Sequence, residues 1–212
     1  MRSYARRQHA DPVPVDIVRE AQNALRSLKA ELRPFVVIRP PFSLSADDAS
    51  KRRLIMRGDP LEIELLLLNV MKNAAEAVQG LPDGGVLVKF RRETLPSPLA
   101  ENPSPSPAAP SAEAVIVEVE DNGPRLSDEA FERLTRVSQS VKDEGLGLGL
   151  GIVRSLVEEN GGRIAITRRE DLSGRGLRVT LCFDLDAEGL KAQSAPETDP
   201  ADKSAAQGSP NV

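Results

Sequence analysis

The longest apolar pattern in the chain covers residues 60–79 and predicts a buried helix. Asp59 is placed to cap its start, and Pro60 suits the first turn, where a backbone N–H would have no partner in any case. Gly80 and Pro82 then provide a helix stop followed by a turn. We therefore expect one well-delimited helix, with most of its surface inside the protein.

Four polar residues interrupt this apolar pattern at spacings of three and four, so they form one stripe along the helix. They are Asn69, Lys72, Asn73 and Glu76. A polar stripe on a buried helix needs water or a ligand to satisfy it. The spacing does not separate a half-exposed face from a binding surface, and Lys72 and Glu76 stay ambiguous between the two.

Shorter patterns predict the remaining elements. Helices are expected at residues 17–32, 128–137 and 150–159. Strands are expected at residues 35–38, 53–57, 86–92, 115–120, 163–169 and 177–184. This order predicts an α+β fold, a two-layer sandwich whose mixed, mostly antiparallel sheet is covered on one face by helices.

Three segments lack the apolar patterns of the predicted helices and strands. Residues 1–16 are polar and irregular, and residues 187–212 are rich in Ala, Pro, Ser and Asp. Residues 94–113 contain six prolines among Ser and Ala, which predicts a disordered insertion at a hairpin tip. The folded domain is therefore expected at residues 17–186, with a disordered tail after it.

Composition excludes several classes of function. Aromatic residues make up 3% of the 212 residues and the net charge is −4, which argues against a nucleic-acid-binding protein. Cys182 and His9 each stand alone, so neither a disulfide framework nor a thiolate or histidine metal site is expected. No apolar run reaches the length of a membrane span or resembles a signal peptide, which predicts a cytoplasmic chain without membrane contact.

A glycine-rich loop precedes the helix predicted at residues 150–159. Glycine alternates with leucine from Gly145 to Gly151, so the backbone can approach a ligand closely. The free N–H groups and the dipole of a helix N-terminus favour phosphate. A flexible hinge is the alternative, and the loop matches neither a dinucleotide-binding fingerprint nor a P-loop.

The turn Asp121-Asn122-Gly123-Pro124 follows a strand that is apolar enough to be buried. A carboxylate at the end of such a strand can accept a hydrogen bond from an exocyclic amine such as that of adenine. A simple turn is the alternative. The amide oxygens of Asn69 and Asn73 suit Mg²⁺, which prefers hard oxygen ligands.

These motifs together resemble the ATP-binding catalytic domain of two-component sensor histidine kinases, within the GHKL superfamily and its Bergerat fold. Residues 69–74 resemble the N box, 121–124 the G1 box, 145–150 the G2 box and 174–176 the last glycine box. The resemblance covers about residues 52–184. The Asn-Ala-Ala-Glu-Ala run from Asn73 is most similar to the nitrogen-regulatory and C4-dicarboxylate-sensing branch.

The resemblance implies roles for individual residues. Asn73 would coordinate Mg²⁺, Asn69 would lie beside the phosphates, and Asp121 would bind the adenine amine in a pocket shaped by Gly123. Residues 126–144 would form the ATP lid. Backbone contacts to the phosphates are expected from Gly145, Leu146, Gly147, Leu148, Gly149 and Leu150. Lys142 is a candidate catalytic contact to the terminal phosphate, or equally a solvated lid lysine.

Asn69 also indicates the reaction. Hydrolytic members of the superfamily place at this position a Glu that activates water, and an amide cannot take a proton at neutral pH. The resemblance therefore implies phosphotransfer to a histidine rather than hydrolysis. His9 lacks the acidic neighbour of a phosphoacceptor, so that histidine is expected on a region absent from this chain. The domain alone is expected to be inactive.

The resemblance also implies partners. Residues 1–16 would be the end of a dimerisation region, and the partners would be the dimerisation and phosphoacceptor domain and a response regulator. The full-length kinase could be membrane-anchored.

Two departures from the usual sequence of the family favour an alternative, a degenerate non-catalytic interaction module. Arg125 replaces a usual glycine, and residues 135–138 replace an aromatic stretch of which Phe131 remains.

Overall fold

A computed structural model describes residues 11–39, 53–95, 112–137, 148–172 and 174–189. The helices are α1 (Ile17–Ser27), α2 (Pro60–Val78), α3 (Asp128–Val137) and α4 (Leu148–Glu159). The strands are β1 (Val13–Asp16), β2 (Val36–Arg39), β3 (Ile55–Gly58), β4 (Val86–Leu95), β5 (Ala112–Asp121), β6 (Arg163–Arg168) and β7 (Leu177–Asp184). None of the helices within these ranges is long and apolar enough to cross a membrane.

The main sheet has five strands in the order β2-β4-β5-β7-β6. Strands β2 and β4 run parallel, and the other neighbours are antiparallel. Alternate residues of β4, β5 and β7 pack into one core with α1, α2 and α4, which cover the same face of the sheet. The predicted two-layer, mostly antiparallel sandwich is confirmed.

Helix α2 matches its prediction and is fixed at both ends. The Asp59 carboxylate accepts hydrogen bonds from the N–H groups of Leu61 at 2.8 Å and Glu62 at 3.3 Å. At the end of α4, the Asn160 amide oxygen accepts from the Asp59 N–H at 2.9 Å, and its amide nitrogen donates to Glu62. A β-carbon at Gly58 would lie 2.5 Å from that amide oxygen. The end of α4 is thus bonded to the start of α2.

Helix α1 is shorter than predicted, because it ends at Ser27 rather than at residue 32. Leu28 is already extended, and the Arg33 guanidinium donates to the Leu28 carbonyl at 2.8 Å, which satisfies an acceptor at the helix end. Leu28 and Leu32 are nevertheless almost fully buried. Their apolar spacing reflects packing of a non-helical segment, not a longer helix.

The prediction of an irregular segment is wrong for residues 13–16. They form β1, which pairs antiparallel with β3 in a separate two-stranded sheet and buries Val15. Asp16 caps α1 as expected, accepting from the Val18 N–H at 3.1 Å. Residues 1–10, where the rest of that prediction falls, lie outside the described residues.

The hairpin of β4 and β5 extends further than predicted. Thr94 pairs with Glu113 and Leu95 with Ala112, so both ends of the expected insertion belong to strands. Arg92 adds a cross-strand ion pair to Glu113. Residues 96–111, which carry the remainder of that prediction, and residues 190–212 of the predicted tail lie outside the described residues.

The other elements fall close to their predicted positions. Helix α3 covers the predicted residues 128–137. Helix α4 begins at Leu148, two residues before the predicted start, so part of the glycine-rich segment is helical. Strands β6 and β7 pair as the expected hairpin. The end of the predicted lid, residues 138–144, and the first residues of the glycine-rich motif, 145–147, lie outside the described residues.

Candidate functional site

A cavity of about 290 Å³ lies between α2, the turn after β5, α3, α4 and the β6–β7 hairpin. Most of its wall is apolar, and its polar side chains are Asn73 and Asp121. The apolar wall consists of Val70, Ala74, Ala77, Pro124, Leu126, Leu134, Leu150, Ile166, Leu177 and Val179. Such a pocket, with few polar groups, is typical of a small-molecule site.

Asp121 is the buried acid of this pocket, with 5% of its surface exposed. Its carboxylate accepts a hydrogen bond from the Gly123 N–H at 2.8 Å. Burial raises the pKa of Asp121 above its ordinary value, although the N–H groups of Gly123 and Leu177 oppose this shift. A β-carbon at Gly123 would lie 2.8 Å from the carboxylate, so any larger residue here would force the Asp121 side chain to shift. The pocket thus presents an acceptor among apolar walls.

The turn that carries Asp121 is held by its neighbours. Gly176 approaches it so closely that a β-carbon there would lie 2.1 Å from the Asp121 carbonyl oxygen. Arg169 donates to the same carbonyl at 3.2 Å. The Asn122 side chain accepts from the Gly85 N–H at 2.8 Å. The Asp turn and the last glycine motif, which are far apart in sequence, therefore form one structure.

The polar stripe of α2 divides between two environments. Asn73 lines the cavity. Lys72 and Glu76 form an ion pair at 3.7 Å with nearly half of each side chain exposed, so they are the solvated edge of the helix. Asn69 is absent from the cavity wall, and its amide nitrogen donates to the Leu65 carbonyl of its own helix at 2.8 Å.

The glycine-rich motif reaches the cavity through the first turn of α4. Leu148 and Gly149 begin this helix, and the Leu150 side chain lines the cavity. The helix N-terminus therefore lies beside the pocket, where its N–H groups and dipole favour an anion. The predicted contacts Gly145, Leu146, Gly147 and Lys142 lie outside the described residues.

Sequence reasoning missed the far wall of the cavity. Ile166, Leu177 and Val179 come from β6 and β7 and were not predicted to contact a ligand, whereas Leu126 and Leu134, from the turn before α3 and from α3 itself, fall within the predicted lid at residues 126–144. The alternation of apolar residues in β6 and β7 shows which side chains share a face, but not that part of this face borders a pocket rather than the core.

Glu120, the residue before Asp121, was also missed. It is 1% exposed, and its carboxylate lies 2.7 Å from Lys89 Nζ and 2.8 Å from Arg178 Nε. Burial would raise the pKa of Glu120, but the hydrogen bonds and charges of Lys89 and Arg178 lower it. Because side chains alternate along a strand, these two consecutive acids occupy opposite faces of β5.

The donor set suits a nucleotide-bound Mg²⁺ better than a metal held by protein alone. Among the described residues, no group of three His, Cys, Asp or Glu side chains could hold a metal ion. Asn73 offers one amide oxygen to the cavity. Mg²⁺ commonly takes few protein ligands and completes its shell with waters and phosphate oxygens.

Comparison with known proteins assigns the domain. Residues 58–187 match the model of the family described as histidine kinase-, DNA gyrase B- and HSP90-like ATPase. The chain belongs to this family. The matched segment begins just before α2 and ends after β7, so it contains the whole cavity.

Its relatives include bacterial sensors. The chain is 30% identical over 142 residues to nitrogen regulation protein NtrY of Azorhizobium caulinodans, covering 65% of this chain and 16% of that protein. It is 26% identical over 170 residues to the C4-dicarboxylate transport sensor DctB of Rhizobium meliloti, covering 78% of this chain and 23% of that protein. It is 33% identical over 109 residues to the sensory histidine kinase/phosphatase NtrB of Klebsiella oxytoca, covering 51% of this chain and 29% of that protein.

The chain therefore spans less than a third of each of these relatives. Among solved structures, the mycobacterial sensor histidine kinase MprB has a TM-score of 0.57 at 18% identity, covering 82% of this chain and 97% of that one. The catalytic domain of histidine kinase ThkA has a TM-score of 0.55 at 17% identity, covering 82% of this chain and 97% of that one. These structures share the fold.

The resemblance read from the four motifs is thus confirmed. The chain carries an ATPase domain of the histidine-kinase type, and its similarity to nitrogen-regulatory and C4-dicarboxylate sensors is consistent with the expected branch.

Proposed function

We propose that this domain binds Mg-ATP in the cavity beside α2 and supplies the γ-phosphate for phosphorylation of a histidine on a separate dimerisation and phosphoacceptor domain. The observation that carries the proposal is the buried carboxylate of Asp121 in an otherwise apolar cavity, whose other polar side chain is that of Asn73. A flat, apolar base with an amino group matches that arrangement, and few other abundant ligands do.

Each wall has a role in this proposal. Adenine lies against the apolar side chains, and its amino group donates to the Asp121 carboxylate. Asn73 holds Mg²⁺, which neutralises phosphate charge when bound. The phosphates extend towards the N-terminus of α4, where Leu150 lines the cavity and the helix dipole favours negative charge. Contacts to the phosphates are also proposed for Lys142 and residues 145–147, which lie outside the described residues.

The same residues explain why phosphate would go to histidine rather than water. A general base must lie within hydrogen-bond reach of the water that it activates. Among the described cavity-lining residues, Asp121 is the one carboxylate, and its proposed partner is the amino group of adenine. Asn69, at the position of the hydrolytic Glu, is an amide bonded to its own helix. Catalysis then consists of positioning and charge stabilisation.

The reaction needs partners beyond these residues. The dimerisation and phosphoacceptor domain would receive the phosphate on its histidine in the cytoplasm, and a response regulator would take it onwards. The alternative is a degenerate interaction module that kept the fold without transferring phosphate. Arg125 favours this alternative, because an exposed cationic side chain follows Pro124 directly at the cavity wall.

A transfer assay separates the two. The chain is incubated with Mg²⁺ and ATP labelled at the γ-phosphate, together with full-length NtrB of Klebsiella oxytoca whose own ATP site has been inactivated by substitution. The kinase proposal predicts acid-labile, base-stable label on the NtrB chain, lost when Asp121→Asn replaces the wild type. Tight ATP binding without label on any histidine would favour the interaction module.

A further inference from the structure

A single arginine joins the edge strand β6 to the start of α3. Arg168 Nη2 donates to the carbonyl oxygens of Leu126 at 3.2 Å and Ser127 at 3.1 Å. Its Nη1 lies 2.7 Å from the Asp128 carboxylate, and its Cζ lies 4.5 Å from the centre of the Phe131 ring. One guanidinium therefore contacts three consecutive residues and an aromatic ring one helical turn later.

Helix α3 lies at the surface of the domain. Among its described side chains, residues 128–135, none is buried, and none belongs to the hydrophobic core. Yet Leu126 and Leu134 form the wall of the cavity on this side. The cavity wall on this side is therefore carried by a helix whose start Arg168 joins to the sheet through polar contacts.

The contacts of Arg168 differ in what they can contribute. Asp128 is 79% exposed, so its ion pair is weakened by solvent. The two carbonyls receive charge-assisted hydrogen bonds, and the ring adds a cation–π contact. Only a planar guanidinium presents several donors while lying over a ring, so lysine cannot replace this arrangement.

We propose that Arg168 is a positioning residue that fixes the α3 side of the nucleotide pocket and thereby sets nucleotide affinity. This rests on the function proposed above. Holding Leu126 and α3 in place before binding removes an ordering cost that the nucleotide would otherwise have to offset. Arg168 acts through Leu126 and α3 and is not itself part of the cavity wall.

The test compares R168A and R168K with R163A, a control that removes an exposed arginine from the other end of the same strand. Three quantities are measured: amide hydrogen exchange, thermal unfolding and ADP affinity by calorimetry. R168A should speed exchange within residues 126–137 but not in β5 or β7. It should also weaken ADP binding about tenfold, equivalent to about 1.4 kcal/mol. R168K should recover only part of either property, and R163A should match the wild type.

Unchanged exchange in residues 126–137 of R168A would overturn the proposal. So would faster exchange without weaker ADP binding, since the wall would then not set affinity. Exchange that rises equally across the whole sheet would show a general structural role instead. If the wild type binds no ADP, the proposed function has failed, and the exchange data alone decide whether Arg168 fixes α3.

Discussion

Gly176 packs directly against Asp121, because a β-carbon added at Gly176 would lie only 2.1 Å from the Asp121 carbonyl oxygen. Gly176 also has a φ of 69°, which disfavours any side chain. Gly161 has the same φ of 69° but no atom within 4 Å of its β-carbon position. The two glycines therefore separate the cost of backbone conformation from the cost of close packing.

We predict that Gly161→Ala lowers the free energy of unfolding by roughly 1–2 kcal/mol, the cost of a left-handed residue. Gly176→Ala should cost about 1–3 kcal/mol more, because the Asp121 turn must shift. It should also weaken nucleotide binding, whereas Gly161→Ala should not. Urea unfolding and calorimetry measure both effects. Equal stabilities for the two variants would contradict this packing.

Asp121→Asn tests the acceptor of the pocket. The amide matches the carboxylate in size but loses its charge, so ATP affinity should fall by about 1.5–3 kcal/mol, the range for a hydrogen bond to a charged group. Thermal stability should not fall with it, because burial disfavours the charged carboxylate that the substitution removes. Asp83→Asn, an exposed acid before β4, is the control and should leave affinity unchanged. Equal loss of affinity in both variants would refute the role of Asp121.

The neighbouring acids Glu120 and Asp121 should respond to pH in opposite directions. The folded-state pKa of Glu120 is lowered, so its stabilisation is present above the ordinary value of 4.5 and is lost as pH falls through the folded value. Glu120→Gln should cost roughly 1–2 kcal/mol at pH 7, as its cationic partners are partly exposed. That cost should shrink on acidification.

For Asp121 the sign is reversed. Its folded-state pKa is raised, so the native state holds the proton more strongly than the unfolded chain. Stability is therefore lost as pH rises from the ordinary value of 3.8 through the folded value. The stability of Asp121→Asn relative to wild type should grow across that window. Urea unfolding of both variants between pH 3 and pH 7 measures these slopes, and parallel slopes would contradict the assigned environments.

The sequence was sufficient where a local rule decides the structure. Asp59 and Pro60 at one end and Gly80 at the other delimit α2, because caps and stops act within a few residues. Asp121 was only a candidate ligand-facing acid from its own motif, because the end of an apolar strand followed by Asn122 and Gly123 also fits a simple turn. Four short motifs in order then identified the family, which no single motif could.

Other features depend on contacts that no local pattern encodes. Helix α1 ends where Arg33 reaches back to the Leu28 carbonyl. Strand β1 exists because β3, some forty residues later, provides its partner. The same holds for Arg168, whose contacts with α3 join residues about forty positions apart. Such partners become visible only when the chain has folded.

Binding of Mg-ATP in the cavity between α2, Asp121 and α4 is the basis of the proposed function. Its most direct test is a calorimetric titration of the folded chain with ATP, in the presence and absence of Mg²⁺, for the wild type and for Asn73→Ala. We predict one ATP per chain, tighter binding with Mg²⁺ for the wild type, and loss of that Mg²⁺ dependence in Asn73→Ala. No binding of ATP or ADP to the folded wild type at millimolar concentration would contradict the claim.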